Sequence, residues 1–151
     1  MEIIRADQNT FDVVKHITQA TISAVYPRYY PSGAVEFFKN HHNDGNILND
    51  IKKGIVWLLS DEGTFVGTVT VKDNDINRLF VLPGYQHKGY GRYLIDFAES
   101  EILKKYDEIQ LDASLPAKKI YLKRGYTEIE YHQILTPSGD YLCYDLMRKG
   151  K

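Results

Sequence analysis

Cysteine is almost absent from this 151-residue sequence, because Cys143 is the only one. A single cysteine excludes an intramolecular disulfide framework and favours a reducing compartment. Long apolar runs are lacking as well. Residues 1–5 do not resemble the start of a secretory signal, and no segment approaches the length that spans a membrane. We therefore expect a cytoplasmic protein without a membrane partner.

Net charge is also nearly absent, since 19 lysines and arginines face 20 aspartates and glutamates. Such a balance provides no basic field for nucleic acid or for an anionic membrane, which argues against a nucleic-acid partner. Repeats, low-complexity tracts and Pro/Gly/Ser-rich linkers are lacking too. With 43% apolar residues, the chain suits one soluble domain over residues 1–151.

Apolar periodicity predicts strands that alternate with helices along the chain. Strands are expected at residues 2–5, 55–59, 64–71, 75–82, 108–112, 126–135 and 141–148. Helices are expected at residues 10–24, 32–42, 90–106 and 116–123, with a short turn at 47–53. Asn9 or Thr10 is the expected cap of the first helix. This order predicts a single α/β domain with a mixed, mostly antiparallel sheet of about six or seven strands and one parallel crossover, flanked by helices.

Residues 81–92, VLPGYQHKGYGR, lead from a strand through a glycine turn into a helix. The first N–H groups of a helix have no partner in the helix, so such a turn can bind an anion such as a pyrophosphate. A P-loop is excluded because Tyr90 and Gly91 stand where its lysine and hydroxyl residue belong. A dinucleotide-binding GxGxxG is excluded because Leu94 takes the third glycine position.

Residues 86–91 read Gln-x-x-Gly-x-Gly, and a Val-x-Pro triplet precedes them. This combination resembles the acetyl-CoA-binding segment of the GNAT acetyltransferase superfamily. Residues 117–126 resemble the late helix of that family, Ala-x-x-apolar-Tyr-x-x-x-Gly-aromatic, with Tyr121 at the tyrosine position. The element order matches the GNAT fold over nearly the whole chain. The resemblance implies that fold, binding of acetyl-CoA and transfer of its acetyl group to an amine.

The resemblance also implies how the chain holds acetyl-CoA. Backbone donors of the turn would hold the pyrophosphate, and glycines without a Cβ permit its close approach. The pantetheine arm would pair with the backbone at the end of the strand that leads into the turn. Ser114 replaces an asparagine that many relatives carry. The residues expected to bind acetyl-CoA are Phe80, Val81, Gln86, His87, Lys88, Gly89, Tyr90, Gly91, Arg92, Ser114 and Tyr121. No metal is implied.

Tyr121 and Asp75 are the candidate catalytic residues. By resemblance, Tyr121 donates a proton to the departing thiolate; the alternative is that it simply packs. An amine attacks only when it is neutral, and a lysine-like amine has a pKa of about 10.4, so a base is useful. Some relatives place a glutamate six residues before the position of Val81, where this chain has Asp75. Strand alternation predicts one shared face for Asp75, Asn77, Leu79 and Val81. The alternative for Asp75 is a turn carboxylate.

The acceptor side of the cleft is less well defined by the sequence. By resemblance, the helices after the first strand form it, and the alternative is that their aromatic residues only pack the core. The candidate wall residues are Tyr26, Tyr29, Tyr30, Phe37 and Phe38. His41 and His42 are adjacent and diverge in direction, which is poor geometry for a metal, so a role at the helix end or in solvent is expected.

The predicted function is therefore transfer of an acetyl group from acetyl-CoA to the primary amine of a small molecule or peptide. Attack would be direct, in a ternary complex of enzyme, acetyl-CoA and amine. One alternative is an acyl-CoA-binding regulatory module without turnover. A second alternative, a nucleotide-dependent phosphotransferase, is disfavoured because the P-loop residues are missing. A homodimer is an expectation from the resemblance alone.

Overall fold

The computed structural model describes residues 1–151 as one seven-stranded sheet with five α-helices. The strands are β1 (Glu2–Arg5), β2 (Val56–Asp61), β3 (Thr64–Lys72), β4 (Asp75–Val81), β5 (Glu108–Ala113), β6 (Thr127–Leu135) and β7 (Tyr141–Gly150). The helices are α1 (Phe11–Val25), α2 (Ser32–His41), α3 (Asp44–Lys52), α4 (Tyr90–Leu103) and α5 (Leu115–Lys123). No helix combines the length and the apolar character that crossing a bilayer requires.

The strand order in the sheet is β1-β2-β3-β4-β5-β7-β6, and β4 and β5 are the only parallel neighbours. Short turns join the antiparallel pairs β2–β3, β3–β4 and β6–β7, whereas the parallel pair requires the α4 crossover. The predicted α/β fold, a mostly antiparallel sheet with one parallel crossover, is confirmed.

Helices cover both faces of the sheet and bury a separate apolar cluster on each. On one face, α4 packs Leu94, Ala98 and Ile102 against the sheet residues Ile76 and Val81. On the other face, α1, α2 and α3 pack against β2 and β4, and their fully buried contacts are Val14, Ile17, Ile22, Ala34, Ile47, Val56 and Leu58. The apolar runs that predicted the strands are therefore covered on both sides, which places polar chemistry at strand ends.

The sheet opens between its two parallel strands. β4 and β5 pair only at Asp75 and Gln110, with one further backbone bond from Gln110 N to Asn74 O at 2.9 Å. The chain beyond this point supplies the walls of two adjoining cavities, which include Leu79 and Phe80 from β4 and Ser114 after β5. Because of this opening, the C-terminal part of β4 has no neighbouring strand on the β5 side.

A β-bulge in β4 changes which side chains share a face. Thr70 pairs with Asn77, but Thr68 pairs with Phe80, so one extra residue is inserted in β4. Arg78, in the bulge, has a left-handed φ of 45°. Asn77 and Phe80 therefore lie on one face of the sheet although they are three residues apart. The predicted shared face holds for Asp75 and Asn77, but the bulge places Leu79 and Val81 on the opposite face, because the prediction assumed an unbroken alternation.

Two helix predictions also need correction. The expected turn at residues 47–53 is a full helix, α3, because Asn43 caps it by accepting from Asn46 N at 2.9 Å. The side chains of Asn9 and Thr10 do not cap α1. A 3₁₀ turn at Gln8–Thr10 precedes that helix, and Asp7 caps the turn through its side chain.

Candidate active site

The glycine turn connects β4 to the N-terminus of α4 through two left-handed residues. After a 3₁₀ turn at Pro83–Tyr85, His87 has a φ of 63° and Gly89 has a φ of 90°. Gly89 is the N-cap of α4 and has no side chain to satisfy the first N–H groups of the helix. These donors stay available for an anion, and the positive end of the helix dipole favours it.

A groove of about 470 Å³ runs beside this turn. Most of the predicted cofactor-binding residues line it, namely Phe80, Val81, Gln86, His87, Gly91, Arg92, Ser114 and Tyr121. Lys88, Gly89 and Tyr90 do not line the groove. The Lys88 ammonium lies over the Tyr85 ring, 5.5 Å from its centroid, and the Tyr90 hydroxyl donates to Asp61 at 2.5 Å. Side chains of this turn thus point away from the groove at Lys88 and Tyr90.

Helices α1 and α5 supply groove walls that the motifs did not predict. They contribute Thr21, Val25, Pro116, Ile120, Lys123 and Arg124. Arg124 is fixed by ion pairs with Asp96 at 2.7 Å and Glu99 at 2.6 Å. Because these two carboxylates neutralise Arg124, the free positive charge at the rim of the groove comes from Arg92 and Lys123. The two basic residues just before Gly125 were the available signal for this rim, but only the folded chain brings α5 to the turn.

The end of β4 offers backbone groups to the groove at one residue. Leu82 N donates to Val66 O at 2.9 Å, so by antiparallel alternation the N–H and C=O of Val81 point away from β3. The Val81 carbonyl accepts from the Gln86 amide at 3.0 Å and from the Thr21 hydroxyl at 3.4 Å. The backbone of Phe80 faces β3 instead. An extended amide chain in the groove can therefore pair with Val81, whereas Phe80 contributes its ring.

A second cavity, of about 210 Å³, adjoins the groove. Its walls include Tyr26, Phe37 and Phe38 from the predicted acceptor side, and Asp75 and Asp112 from the sheet. The groove and the second cavity share one wall, which consists of Tyr26, Leu79, Phe80, Ser114, Ala117 and Tyr121. The fold thus brings both candidate catalytic residues to the same small cavity.

Asp75 has the electrostatics of a base. Burial raises its pKa to about 7, with a further increase from the Asp112 carboxylate and a smaller one from Asp73, while Lys72 opposes them. Burial also raises the pKa of Asp112. A carboxylate with a pKa near neutrality can accept a proton at physiological pH and release it again, which a turn carboxylate in water does poorly.

Tyr121 places a protonated phenol at the wall shared by the two cavities, although its raised pKa makes it a weaker acid than free tyrosine. It is 7% exposed, and its ring contacts Tyr126 edge-on at 5.4 Å between centroids. Burial raises the pKa of Tyr121, so the phenol stays protonated at neutral pH. Its hydroxyl makes no hydrogen bond within the chain, although the side chain lines both cavities. A protonated donor at the shared wall is suited to protonate a leaving group there.

Two of the predicted acceptor-wall residues lie elsewhere. Tyr29 is 50% exposed and lines neither cavity. The Tyr30 hydroxyl accepts from Leu115 N at 2.7 Å and donates to Cys143 O at 3.2 Å. Tyr30 therefore joins the start of α5 to β7 and has a structural role. Both predictions are corrected, because the break after α1 turns these two rings away from the cleft.

A buried polar network that the sequence did not predict lies behind the bulge. Arg78 donates to His42 Nδ1 at 3.2 Å, to Thr70 Oγ1 at 3.0 Å and to Asp50 Oδ2 at 2.9 Å. His42 is only 6% exposed and lines the small cavity. His42 therefore lies at the end of α2, as expected, but it is buried beside the cavity and not in solvent. No cluster of three or more His, Cys, Asp or Glu side chains is arranged to hold a metal ion.

Comparison with known protein families decides what this arrangement is. Residues 25–135 match the family model of the acetyltransferase (GNAT) domain. The chain belongs to the GNAT acetyltransferase family. The match spans the glycine turn, most of the residues that line the two cavities, and Tyr121. This GNAT protein is therefore an acetyl-CoA-dependent acyltransferase, as its motifs predict.

Solved structures share the GNAT fold over nearly the full chain. A GCN5-related N-acetyltransferase from Rhodopseudomonas palustris is 21% identical, with a TM-score of 0.90 over 99% of this chain and 95% of its own. The PaiA N-acetyltransferase from Thermoplasma acidophilum, solved in complex with coenzyme A, is 19% identical, with a TM-score of 0.73 over 99% and 98%. YncA from Salmonella typhimurium, a putative acetyltransferase solved with acetyl-CoA, is 16% identical, with a TM-score of 0.74 over 99% and 93%. The sequence has no significant match among curated proteins.

The groove of this GNAT protein fits coenzyme A chemically. The uncapped N-terminus of α4 and the basic rim suit the phosphates, and the backbone of Val81 suits the amides of the pantetheine arm. A Cβ built on Gly91 would meet only Val81 Cγ2, at 3.9 Å, on the wall of the groove. Glycine at this position therefore keeps the groove open beside the helix N-terminus.

Proposed function

We propose that this GNAT enzyme transfers the acetyl group of acetyl-CoA to a primary amine that lies in the small cavity. The observation that carries the proposal is the wall shared by the groove and the small cavity, with Tyr121 in it and Asp75 beyond it. Two substrates that enter from opposite sides can meet only at this wall. Attack is then direct, without a covalent enzyme intermediate.

Acetyl-CoA, when bound, supplies the acetyl group as a thioester. Gln86, His87, Gly91 and Arg92 would hold its phosphates, with Lys123 as a further cation at the rim. Lys88, Gly89 and Tyr90 would contribute through the backbone, because their side chains do not line the groove. Val81 would pair with the pantetheine arm, and Ser114 and Tyr121 would contact it at the shared wall.

Asp75 acts as the base in this proposal. It accepts the proton of the acceptor ammonium, directly or through one water, so that the amine is neutral when it attacks. A pKa of about 7 makes both the acceptance and the release of this proton feasible near neutral pH. As the C–N bond forms and the C–S bond breaks, Tyr121 donates its phenolic proton to the thiolate that leaves, and the proton that the attacking nitrogen gives up replaces it. Tyr26 and Phe37 line the acceptor side and orient the amine.

The test is a thiol-release assay with acetyl-CoA against a library of primary amines, with a no-amine control. Release that depends on an amine, together with intersecting initial-velocity lines, supports transfer in a ternary complex. Parallel lines would indicate a covalent intermediate and contradict direct attack. Calorimetric binding of acetyl-CoA without release for any amine would favour the alternative, a regulatory module that binds acyl-CoA without turnover.

The cytoplasmic location and the homodimer stay predictions. The single cysteine supports the first, and the resemblance to the GNAT superfamily supports the second. Cell fractionation tests the location, and sedimentation at micromolar concentration tests the oligomeric state.

A further inference from the structure

His42 is held in one orientation and one tautomer by the bulge of β4. Arg78 Nε donates to His42 Nδ1 at 3.2 Å, and a guanidinium has no acceptor atom, so Nδ1 carries no proton. Burial and the Arg78 charge lower the pKa of His42 to about 3, with a minor contribution from His41. The ring is therefore neutral at pH 7, and its proton is on Nε2.

The Nε2–H donor of His42 has no partner in the chain. The side chain is 6% exposed and lines the small cavity. Four side chains have a polar atom that is both inaccessible and without a hydrogen-bond partner: Thr18, Arg124, Thr136 and Arg148. His42 Nε2 is not among them, so this unpartnered atom remains accessible from the cavity. A donor this deep, in contact with the cavity, is suited to bind an oxygen of whatever enters it.

The other polar groups of the cavity restrict the kind of oxygen. Asp75 and Asp112 both line it, and a carboxylate on the substrate would be repelled by them. The Arg78 guanidinium is 3% exposed at its side chain and already paired with Asp50 at 2.9 Å, so it offers no free charge to an anion. Because an anionic oxygen is disfavoured, the neutral N–H donor of His42 is suited to a neutral oxygen of the substrate. Phe37, Phe38 and Ile134 add an apolar part to the wall.

We propose that His42 selects acceptors that carry a neutral carbonyl oxygen a few bonds from the primary amine, as in α-amino esters and α-amino amides. The amine faces Asp75, the carbonyl oxygen accepts from His42 Nε2, and an apolar side chain packs on the aromatic wall. A cavity of about 210 Å³ holds all three groups only if they lie close together in the substrate. This inference rests on the proposed acetyl transfer, because it names the acceptor of that same site.

The test compares two amines that differ only by the methyl ester substituent next to the amine: phenylalanine methyl ester and 2-phenylethylamine. For each variant, kcat/KM for the ester is divided by kcat/KM for the amine, which cancels the fraction of active enzyme. Comparing this ratio between variants then cancels the difference in basicity between the two amines. His42→Phe should lower the ratio by about 10- to 100-fold, since one buried hydrogen bond to the ester is lost. His42→Gln, which keeps an N–H donor at a similar reach, should restore part of it.

Binding provides a second readout that does not need turnover. Thermal shifts of the coenzyme A-loaded protein are measured with each amine, for the wild type and for both variants. An unchanged ratio in His42→Phe, in rate and in binding, overturns the role of His42, because a purely structural defect affects both amines equally. Loss of discrimination in binding, with no thiol release from any amine, supports His42 and overturns the proposed transfer instead.

Discussion

Asp75 and Asp112 lie on the same face of two neighbouring parallel strands and both line the small cavity. Asp75 pairs with Gln110, and Asp112 is two residues further along β5, so the alternation of β5 directs both carboxylates to one side. Their proximity matters chemically, because the Asp112 charge adds to burial in raising the pKa of Asp75 to about 7. This relationship makes the proposed base testable.

Asp75→Asn should remove the part of the pH–rate profile that has its midpoint near pH 7. The base works only when it is deprotonated, so wild-type kcat/KM rises through that pH, and a base of this kind contributes roughly 10²- to 10⁴-fold. The measurement is kcat/KM from pH 5 to 9 with one amine. The other ionisable or charged groups around Asp75 are Lys72, Asp73, Asp112, His41, His42, Arg78, Tyr121 and Tyr144.

Asp112→Asn is the control for this profile. Removing the neighbouring negative charge should move the midpoint to lower pH while the rise itself persists, because burial still acts on Asp75. A midpoint near pH 7 that survives in Asp75→Asn would assign the titration to another group.

Asp75→Asn should also stabilise the protein at alkaline pH. The folded state holds the Asp75 proton up to about pH 7, whereas the unfolded chain releases it near 3.8. The stability from the protonated carboxyl is therefore complete below the unfolded pKa and is lost as the pH rises through about 7. Because asparagine is always neutral, Tm of the variant should exceed that of the wild type at pH 8, with a smaller gain at pH 5. Differential scanning calorimetry measures both; a gain that does not depend on pH would contradict the raised pKa.

Tyr121→Phe should lower kcat by roughly 10- to 100-fold without weakening coenzyme A binding, because only the proton donor is removed. The Tyr121 hydroxyl makes no hydrogen bond within the chain, so phenylalanine leaves no partner unsatisfied and Tm should hold. Steady-state kinetics measures the loss of kcat, and calorimetry measures the affinity for coenzyme A. Wild-type kcat in the variant would indicate that Tyr121 only packs.

Gly91→Leu should weaken coenzyme A binding by at least about 10-fold, because its side chain would enter the groove. Gly91 does not have a left-handed φ, so the substitution causes no backbone strain. Gly84→Leu is the matched control: a Cβ there meets nothing within 4 Å, and Gly84 does not line the groove. Calorimetry on both variants tests the assignment, and equal affinities would place the cofactor elsewhere.

Tyr30→Phe should reduce the free energy of unfolding by about 1–3 kcal/mol, because Leu115 N and Cys143 O both lose a partner. Urea denaturation measures this loss. The ratio of ester to amine turnover should stay at its wild-type value, since Tyr30 lines neither cavity. A changed ratio would indicate that Tyr30 contacts the acceptor after all.

Local patterns predicted the elements and part of the site because their physical causes are local. The connection from strand through turn to helix at residues 81–92 is visible in the sequence. The N-cap at position 89 has a left-handed backbone, which glycine adopts without strain. Tyr121 and Asp75 were found through motif spacing along single elements. In the same way, apolar runs and turn residues predicted the order of helices and strands along the chain, and that order resembles the GNAT fold.

Other residues could not be placed from the sequence because their roles depend on partners far along the chain. One inserted residue at Arg78 reversed the expected faces of β4, and no alternation pattern shows such a bulge. The place of His42 in the cavity depends on Arg78, which donates to it from 36 residues away and is itself held by Asp50, 28 residues from Arg78. Tyr30 was drawn to Leu115, 85 residues away, and so left the cleft.

The sequence by itself determined which segments form helices and strands, where an anion-binding turn stands and which family the motifs resemble, because propensity, periodicity and spacing act between near neighbours. Only the tertiary structure decided which side chains share a cavity, which carboxylate is buried beside another and which nitrogen of His42 keeps its proton. Those properties arise from burial and from long-range contacts, which exist only once the sheet has closed on its helices.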